Sequence, residues 1–367
     1  MPLEVAYTDF PAQFNDDQLE ILAAVQKVFE KGHFILGEEV ERFEEEFARL
    51  CGAKHAIAVA NGTDSLILAL KAIDLQKGDE VITASNSWVS SASSVALLGG
   101  TPVFVDVQSD QNIDPKKIEA VISKKTKAIL PVHLTGRCAD MVAINQIAKK
   151  HQIPVIEDAA QAICASRDDI LAGSSGLMGS FSLHPLKNLN AAGDAGVLTT
   201  QDDEIAKKLR LLRNHGLKNR DEIVQWGYNS RLDELQAAIL RTRIPKLKSR
   251  IEKRRQIAKM YRERLSKIVT CPTELKGEHH TYHLFVIQCD QRDKLRDYLQ
   301  KRQISTKIHY PIPIHLQEAA SYLGYKKGSL PETEQQAERI LSLPIHSHLS
   351  DAQVDWVSQS ILDFYSE

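Results

Sequence analysis

The sequence predicts an α/β protein whose larger part is a mostly parallel, doubly wound sheet, followed by a smaller C-terminal α+β unit. Short apolar runs alternate with amphipathic segments over the first part of the chain, a pattern typical of parallel strands buried on both faces. The 367 residues suffice for two domains. Hydrophobic residues make up 43% and charged residues 26%, so the chain can bury a core and shows no sign of disorder.

The predicted elements of the larger part follow one another with short connections. Gly52 is expected to end the second helix, and Asp114 followed by Pro115 is expected to begin a later one. In chain order we expect helices within 1–35 and over 37–50, a strand at 56–60, a helix from 66, strands at 80–83 and 102–106, a helix at 115–122, a strand at 128–132, a helix at about 141–150 and a strand at 154–158. Because ligands of such sheets bind beyond the carboxyl ends of the strands, residues just after these strands are candidate site residues.

The turn after the first strand is a candidate phosphate site. It contains Gly62, Thr63 and Asp64 and leads directly into an apolar helix. A strand that turns through Gly and hydroxyl residues into a helix directs unpaired backbone N–H groups towards whatever lies above it, as in many phosphate sites. A plain helix cap by Thr63 or Asp64 is the alternative interpretation.

Lys187 is the candidate for covalent attachment of a cofactor. It closely follows an apolar, strand-like run that ends at Pro185, and a loop of small residues comes after it. An amine forms an imine with an aldehyde only while it is neutral, so its site must lower the pKa of the amine by burial or by a nearby positive charge. Since the chain has 46 Lys and Arg residues, most of them expected on the surface, this interpretation depends on the neighbouring residues.

Charge and cysteine content exclude several classes of protein. The 46 basic and 48 acidic residues give a formal net charge of −2, so neither nucleic acid nor an anionic membrane is an expected partner. The five cysteines are scattered without a CxxC pair, which indicates reduced thiols in a cytoplasm. Residues 1–4 do not resemble the start of a signal peptide, and no apolar run is long enough to span a bilayer, so a cytoplasmic protein is predicted. The sequence contains no GxGxxG motif, no Walker-type loop and no zinc-type spacing of His and Cys, so neither a dinucleotide-binding oxidoreductase nor a metal site is expected.

The C-terminal part is predicted as a smaller α+β unit. A helix beginning near Asp233 should kink or restart at Pro245 and lead into it. The expected elements are strands at 282–287 and 305–310, helices at 292–302, 332–341 and 351–364, and a Pro-rich loop at 311–315. We therefore expect a large domain over 13–245 and a small domain over 246–367, with residues 1–12 packed against the small domain and no flexible linker between the two.

Together these residues fit the chemistry of pyridoxal phosphate. The phosphate anchors this cofactor, a lysine binds its aldehyde, and a carboxylate keeps its ring nitrogen protonated so that the ring can accept carbanion electrons. Asp158, at the end of a predicted strand, is the candidate carboxylate, although a lone Asp there could simply cap a helix. Ser182 could add a hydroxyl to the phosphate site and Trp88 could stack on the ring, whereas an outward-facing Ser and a core Trp are the alternative interpretations.

Ordered motifs over most of the chain are similar to those of the DegT/DnrJ/EryC1 sugar aminotransferases, which are fold type I enzymes that use pyridoxal phosphate. The similarity extends from Ile35 to about Leu343. The motifs are Ile35-Leu36-Gly37, Asn61-Gly62-Thr63-Asp64-Ser65-Leu66, Gly78-Asp79-Glu80-Val81-Ile82, Pro131-Val132-His133-Leu134, Glu157-Asp158-Ala159-Ala160-Gln161, His184-Pro185-Leu186-Lys187-Asn188-Leu189 and Gly227-Tyr228-Asn229-Ser230-Arg231-Leu232-Asp233-Glu234-Leu235-Gln236-Ala237-Ala238. Because so many blocks occur in the same order, the chain is identified as a member of this family, and a fold type I architecture is expected.

The resemblance implies roles for individual residues. Lys187 would carry the cofactor and later move the proton, and Asp158 would pair with the ring nitrogen. Gln161 would contact the hydroxyl side of the ring, on which Trp88 would stack. The phosphate would be held by Gly62, Thr63, Asp64, Ser182 and, from a second subunit, Asn229. A homodimer with shared active sites is therefore expected.

The resemblance also implies a reaction. An amino donor, usually glutamate, would leave its nitrogen on the cofactor, which would then aminate a keto group of a nucleotide-linked sugar for the biosynthesis of a glycan such as lipopolysaccharide or O-antigen. Members that dehydrate the sugar replace the lysine with histidine. This chain retains Lys187, so amination is favoured.

The C-terminal motifs at 308–317 and 341–344 resemble those of members that act on 3-keto sugars. The expected substrate contacts are His309, Tyr310, His315 and Arg231. The alternative interpretation is that this Pro-rich loop with aromatic residues only packs in a domain interface. A thymidine- or uridine-diphosphate 3-keto hexose is the first expectation, while a 4-keto-sugar aminotransferase, a sugar dehydratase and a catalytically silent regulatory protein remain alternatives.

Two departures from the family pattern concern the substrate. Ile163-Cys164-Ala165 stands where many relatives carry a His-Gly-Ala run, which removes a polar group close to the expected sugar position. Gly193-Asp194-Ala195-Gly196 replaces the usual Gly-Asp-Gly-Gly type of loop. Neither change affects Lys187 or Asp158.

Overall fold

The computed structural model describes residues 3–366, so Met1, Pro2 and Glu367, which belong to the predicted terminal segments, lie outside the described residues. The helices are α1 (Phe10–Lys31), α2 (Glu38–Cys51), α3 (Gly62–Ala72), α4 (Ser90–Leu97), α5 (Pro115–Ile118), α6 (Met141–His151), α7 (Asp203–Arg213), α8 (Glu234–Leu265), α9 (Arg292–Lys301), α10 (Pro331–Arg339) and α11 (Asp351–Ser366). The strands are β1 (His55–Val59), β2 (Glu80–Ala84), β3 (Thr101–Val105), β4 (Thr126–Leu130), β5 (Ile156–Asp158), β6 (Ser166–Arg167), β7 (Ile170–Leu171), β8 (Met178–Ser182), β9 (Gly196–Thr200), β10 (Glu278–His279), β11 (Phe285–Gln288) and β12 (Ile340–Leu343). Short 3₁₀ turns lie at 119–121, 134–136, 314–316 and 318–323.

The main sheet has the strand order β1-β9-β8-β5-β4-β2-β3. Two groups of strands, β1-β9-β8-β5 and β3-β2-β4, pair within themselves, and parallel bridges from Ile129 to Val155 and from Val132 to Asp158 join β4 to β5. β9 runs antiparallel to both of its neighbours, while the remaining pairs are parallel. The predicted α/β fold with a mostly parallel sheet is confirmed.

The strands are apolar because helices cover both faces of the sheet. In β1, Ile57 and Val59 belong to a buried cluster with residues of α3 and α7, whereas Ala58 belongs to a cluster with residues of α2 and α8. Side chains of a strand alternate between its two faces, so one apolar run supplies both cores. The carboxyl ends of the parallel strands thus remain the open edge at which a ligand can bind.

The sequence predicted that the helix would kink or restart at Pro245. The structure shows one helix, α8, that continues through Pro245 without a restart. Proline removes one hydrogen bond from a helix, so neighbouring contacts must hold the turn. They are ionic: Arg243, Lys246 and Arg250 of α8 all contact the buried carboxylate of Asp17 in α1, at 3.2, 3.0 and 2.6 Å. These pairs lie on the turns around Pro245 and fix α8 against α1.

The C-terminal part departs from the expected elements in two places. The segment 305–310 is bridged to β12 only at Lys307, which pairs with Ser342, and is therefore not a strand. The predicted helix at 332–341 ends at Arg339, and β12 begins directly after it and pairs with β11. The side chains of β12 are buried, so tertiary pairing with β11 outweighs the helical pattern that precedes it.

A second buried cluster lies in the C-terminal part and includes Tyr261, Phe285, Leu343 and Val357. Val5 belongs to it and is bridged to Ile304. The helix α8 contributes side chains to this cluster and to that of the main sheet, so it forms a continuous connection between the two. The division of the chain at residue 245 stays a prediction.

Two buried polar contacts attach the C-terminal part to the open edge of the main sheet. Asp106, just after β3, accepts hydrogen bonds from the backbone and hydroxyl of Thr333 at the start of α10, both at 2.8 Å. His315 contacts the hydroxyl of Ser85, just after β2, through Nδ1 at 2.7 Å. Tyr310 lies shortly before His315 in the chain, so the contact of His315 with Ser85 holds the loop that carries Tyr310 at the carboxyl ends of the strands. Of the helices within residues 3–366, none has the length and apolar character needed to cross a membrane.

Candidate active site

Lys187 lies in the loop that follows β8. The backbone N–H of Leu183 donates to the carbonyl of Ala195, and that of Ala191 donates to the carbonyl of Leu183, both at 2.8 Å, so the loop returns to its starting point. The side chain of Lys187 is half-buried. Burial lowers the pKa of Lys187 to about 8, although the charge of Asp158 acts in the opposite direction. A larger share of this amine is therefore neutral at physiological pH than of an exposed lysine.

The lowered pKa of Lys187 predicts selective labelling of the cofactor-free protein. Only the neutral amine reacts with an acylating reagent such as acetic anhydride, so the labelling rate of Lys187 should rise with a midpoint near pH 8. Lys207 is the matched control because its ion pair with Glu204 raises its pKa above the ordinary value, and its labelling should rise only at higher pH. Peptide mass spectrometry at a series of pH values measures both. Equal midpoints for the two lysines would contradict the prediction.

Asp158 ends β5 at the open edge of the sheet and is buried. Its Oδ2 accepts a hydrogen bond from the hydroxyl of Ser91 at 2.8 Å, and its Oδ1 accepts one from the backbone N–H of Ala160 at 3.2 Å. Burial raises the pKa of this carboxyl, while the two hydrogen bonds and the charge of Lys187 act in the opposite direction. The carboxylate is thus oriented by two donors and retains acceptor capacity for a third.

A buried His–Glu pair adjoins Asp158, and the backbone N–H of His133 donates to the carbonyl of Asp158 at 2.9 Å. Nδ1 of His133 accepts from the backbone N–H of Ala139 at 3.0 Å, so Nε2 carries the proton and donates to Glu157 at 2.8 Å. Glu157 also accepts from the backbone N–H groups of Gly173, Ser175 and Gly176 at 2.6–2.9 Å. Burial alone would raise the pKa of Glu157, but these donors together hold it below its ordinary value.

Replacing Glu157 with glutamine is expected to lower the free energy of unfolding by about 3–5 kcal/mol, because the amide cannot accept four hydrogen bonds and buried donors lose their partner. Chemical denaturation of the purified variant measures the change. Glu119→Gln is the control, since Glu119 contacts Lys150 and His151 on the surface and its removal should leave the unfolding free energy nearly unchanged. An equal effect of both substitutions would show that the buried network is not stabilising.

Tyr310, Gln161 and Trp88 meet above the end of β5. The backbone N–H of Thr135 donates to Oε1 of Gln161 at 2.7 Å, and Gln161 in turn hydrogen-bonds to Tyr310. The rings of Trp88 and Tyr310 lie 5.6 Å apart. Burial raises the pKa of Tyr310, and the charge of Asp158 adds to this effect. Trp88 is 57% exposed, so it is not a core residue and its ring is available to a ligand.

The turn between β1 and α3 packs directly onto the end of β8. A Cβ atom on Gly62 would lie 2.7 Å from Cβ of Ser182, so only glycine allows this approach. Gly62 and Thr63 are the first residues of α3, and within residues 3–366 their backbone N–H groups have no hydrogen-bond partner. The hydroxyl of Thr63 contacts that of Ser90 at 2.7 Å. Free N–H groups at a helix N-terminus beside a serine hydroxyl are suited to an anion such as phosphate.

Asp64 was predicted to help bind the phosphate, but in the structure it is hydrogen-bonded to other residues. Its backbone N–H donates to Oδ1 of Asn61 at 2.8 Å, and its carboxylate accepts from the hydroxyl of Ser230 at 2.6 Å. A carboxylate has no proton to donate to a phosphate at neutral pH. In this geometry Asp64 holds the segment around Ser230 against the turn instead.

His309 lies near Lys187, and His315 does not face the same space. Nδ1 of His309 contacts the hydroxyl of Ser342 at 2.9 Å, and burial together with the charge of Lys187 lowers the pKa of His309 to about 4. His315 is buried, with Nδ1 on Ser85 and Nε2 3.0 Å from Glu334. Both of its ring nitrogens are occupied, so in this conformation His315 positions the loop and does not offer a nitrogen to a substrate.

Asn229 and Arg231 lie outside the cluster around Lys187. Asn229 is exposed and bridged to Asn214, and Nη1 of Arg231 donates to Oδ1 of the same Asn214 at 3.1 Å. An exposed position is required of any residue that reaches a second subunit. Within a single chain neither side chain meets Asp158 or Lys187.

Three residues of this site were missed by the sequence-based predictions. Ser91 orients Asp158, and the buried pair His133 and Glu157 adjoins it through the backbone. Polar residues inside otherwise apolar strand ends were the available signal for the pair, whereas Ser91 lies in a serine-rich helix with nothing to distinguish it. Among the described residues, no group of three or more His, Cys, Asp or Glu side chains is placed to hold a metal ion.

Comparison with known proteins gives the family. The sequence model of the DegT/DnrJ/EryC1/StrS aminotransferase family matches residues 15–362. The chain belongs to this family. A dTDP-3-amino-3,6-dideoxy-alpha-D-galactopyranose transaminase of Aneurinibacillus thermoaerophilus is 44% identical to this aminotransferase over 346 residues, which are 94% of this chain and 95% of that protein. A pleiotropic regulatory protein of Geobacillus stearothermophilus is 42% identical over 368 residues, covering 99% of both chains.

A solved structure extends the likeness to the fold. S. venezuelae DesV in complex with a ketimine intermediate matches this aminotransferase with a TM-score of 0.97 and 38% identity, and each chain is covered to 99%. The predicted family, the fold type I architecture and the assignment to PLP-dependent aminotransferases are thereby confirmed.

The cofactor of the family is pyridoxal phosphate, as predicted. The residues present fit it: a half-buried lysine of lowered pKa, a buried carboxylate with acceptor capacity left, and free N–H groups at the start of α3 that face the hydroxyl of Ser182. An aldehyde, a protonated ring nitrogen and a phosphate are the complementary groups.

Proposed function

We propose that this aminotransferase transfers an amino group from glutamate to the keto group of a nucleotide-linked 3-keto hexose, giving a nucleotide-linked 3-amino sugar for glycan biosynthesis. The observation that carries the proposal is the placement of Lys187, with its lowered pKa, and the buried Asp158 beneath the rings of Trp88 and Tyr310. The 44% identity to a dTDP-3-amino-sugar transaminase supports the 3-position over the 4-position.

Pyridoxal phosphate, when bound, supplies an aldehyde for covalent attachment and a ring that takes up the electrons of a broken bond to carbon. Nζ of Lys187 would hold the aldehyde carbon, and as a free amine it would accept the proton from Cα of the amino donor. The ammonium so formed would deliver a proton to the sugar carbon that receives nitrogen. The neutral form is needed to hold the aldehyde and to accept the proton, and burial of Lys187 favours that form.

Asp158 would hold the proton on the ring nitrogen, because its carboxylate places a negative charge at the end of β5. Ser91 and the N–H of Ala160 orient its two oxygens, so the carboxylate needs no rearrangement during the reaction. Gln161, whose Oε1 is held by the backbone N–H of Thr135, would contact the ring hydroxyl of the cofactor. These positions preorganise the site before the substrate binds.

The N–H groups of Gly62 and Thr63 and the hydroxyl of Ser182 would hold the phosphate, and Asn229 of a second copy would complete the site. A homodimer is supported by a short stretch of exposed apolar side chains, since Ile223, Val224 and Trp226 are 56%, 49% and 90% exposed, and neighbouring exposed apolar residues are typical of protein–protein contacts. His309, Tyr310 and Arg231 are the proposed contacts to the nucleotide sugar. The five unpaired cysteines support action in the cytoplasm.

A panel of nucleotide keto-sugars tests the proposal. The protein is loaded with pyridoxal phosphate, and glutamate is expected to bleach the visible absorption of the lysine-bound cofactor. Thymidine- and uridine-diphosphate 3-keto and 4-keto hexoses are then supplied, and NMR locates the new amino group. Amination at carbon 3 supports the proposal. Bleaching without any aminated sugar, or amination at carbon 4 alone, would overturn the substrate, and a lack of bleaching would overturn glutamate as donor.

A further inference from the structure

A cavity of about 450 Å³ lies apart from the active site, and neither Lys187 nor Asp158 lines it. Its walls come from residues 108–111 after β3, from Thr135 and Arg137 after β4, and from residues 270–273 and Gln288 in the C-terminal part. We call it the Gln111 cavity. Its volume lies within the range of small-molecule sites in proteins. We propose that the Gln111 cavity binds a pyranose sugar as a second ligand of this protein.

Gln111 is the first of two buried side chains that have at least one unpaired polar atom there. It is only 8% exposed. Its backbone is engaged, because its N–H donates to the carbonyl of Gln108 at 3.0 Å and its carbonyl accepts from Nδ2 of Asn86 at 2.7 Å. Its carboxamide has no hydrogen-bond partner within residues 3–366. This carboxamide lines the cavity and is not among the side-chain groups sealed from water, so a ligand in the cavity can reach it, and one that both donates and accepts would pair with it.

Arg137 is the second, at 6% exposed. Its Nη2 and Nε donate to the carboxylate of Glu278 at 2.7 and 3.3 Å, and Nε lies 3.6 Å from Oδ2 of Asp110. Nη1 has no partner in the described part of the chain. The guanidinium charge is therefore already balanced by two carboxylates, and what remains for a ligand is one N–H donor without an excess of positive charge.

The rest of the lining indicates the class of ligand. Half of the lining residues carry a hydroxyl or an amide group, namely Gln108, Ser109, Gln111, Thr135, Thr270, Thr273 and Gln288. These groups both donate and accept, as sugar hydroxyls do. None of the lining residues is Phe, Tyr or Trp, and the ring of His280 is buried and stacked on Tyr282 with the centroids 3.9 Å apart, so the lining does not favour a nucleobase. The balanced charge of Arg137 does not favour a phosphate. A neutral molecule with several hydroxyl groups fits this lining best.

The Gln111 cavity is connected to the active site by one residue. Thr135 lines the cavity, and its backbone N–H is the donor to Gln161. Its hydroxyl contacts Nε2 of His280, another lining residue, at 3.3 Å. A sugar in the cavity is therefore adjacent to the residue that holds Gln161.

Isothermal titration of the cofactor-loaded protein with D-glucose, D-galactose and N-acetyl-D-glucosamine tests the proposal. Two variants change the cavity: Thr273→Trp fills it from an exposed position, and Gln288→Leu removes an amide from its wall. Ser321→Trp is the matched control, because Ser321 is exposed in a 3₁₀ turn and does not line the cavity. At least one pyranose should bind, with its Kd raised about tenfold by each cavity variant, as expected for one or two lost hydrogen bonds. The control should leave that Kd unchanged.

Three results would overturn the proposal. The first is that none of the three sugars binds, and the second is that a sugar binds with the same Kd in both cavity variants, which places it elsewhere. The third is that glycine or L-glutamate, titrated in parallel, loses affinity in these variants while no sugar does, which assigns the cavity to amino acids. Cofactor absorption and circular dichroism verify that each variant is folded. The titration does not depend on the amination assay. If no nucleotide keto-sugar is aminated, the binding of a pyranose in the Gln111 cavity can still be tested.

Discussion

Replacing Lys187 with alanine is expected to abolish the visible absorption of the protein-bound cofactor and to lower kcat by about 10⁴-fold, the upper range for loss of an acid–base group. The reason is that Nζ of Lys187 is the amine of lowered pKa at the open edge of the sheet and the proposed carrier of the proton. Absorption spectra and stopped-flow half-reactions with glutamate measure the two effects. The backbone contacts of the loop do not involve the side chain, so circular dichroism should be unchanged.

The matched control is Lys207→Ala. Lys207 is exposed and forms only a surface ion pair with Glu204 at 2.6 Å, so its removal should change neither the spectrum nor kcat. A Lys187→Ala variant that keeps the absorption band would show that another lysine carries the cofactor. Residual activity restored by added methylamine would support the role of an amine at this position.

Replacing Asp158 with asparagine is expected to lower kcat by about 10²–10³-fold, as for loss of a preorganised electrostatic partner. Asparagine has the same shape, and its oxygen can accept from Ser91 or from the N–H of Ala160, so folding and cofactor attachment should persist. The neutral amide cannot hold a proton on the ring nitrogen. Since the charge of Asp158 opposes the lowering of the pKa of Lys187, that pKa should fall further in the variant.

Spectra and kinetics of the same protein separate these effects. Ser91→Ala removes only the orienting hydroxyl and should reduce kcat less than Asp158→Asn does. Asp363→Asn, which removes a surface partner of Arg302, should have no effect. A kcat of Asp158→Asn within tenfold of the unaltered protein would refute the role given to this carboxylate.

Site residues that directly follow a strand could be predicted from the sequence. Asp158 and Lys187 follow apolar runs, and the turn at Gly62 links a strand to a helix, so periodicity and the open-edge rule bring them together. The structure places all three at one end of the sheet. Polar partners from distant parts of the chain could not be predicted in this way, because a hydrogen bond across the fold leaves no periodic signal.

His315 shows the difference. Its ring joins Ser85, which lies 230 residues away in the chain, to Glu334, and this contact makes it a residue that positions the loop. Sequence similarity placed it among the substrate contacts, since a motif reports that a residue is present and not what it touches. Ser91, 67 residues from Asp158, was missed for the same reason.

The sequence by itself determined the alternation of strands and helices, the family and the cofactor. The spacing of apolar residues, the glycine turns and the ordered motifs depend only on residues that are close together in the chain. The antiparallel direction of β9, the pairing of β12 with β11 and the continuity of α8 through Pro245 were decided only by the tertiary structure. The physical reason is that each depends on burial and hydrogen bonds between segments distant in the chain, and these outweigh local preference once the core is packed.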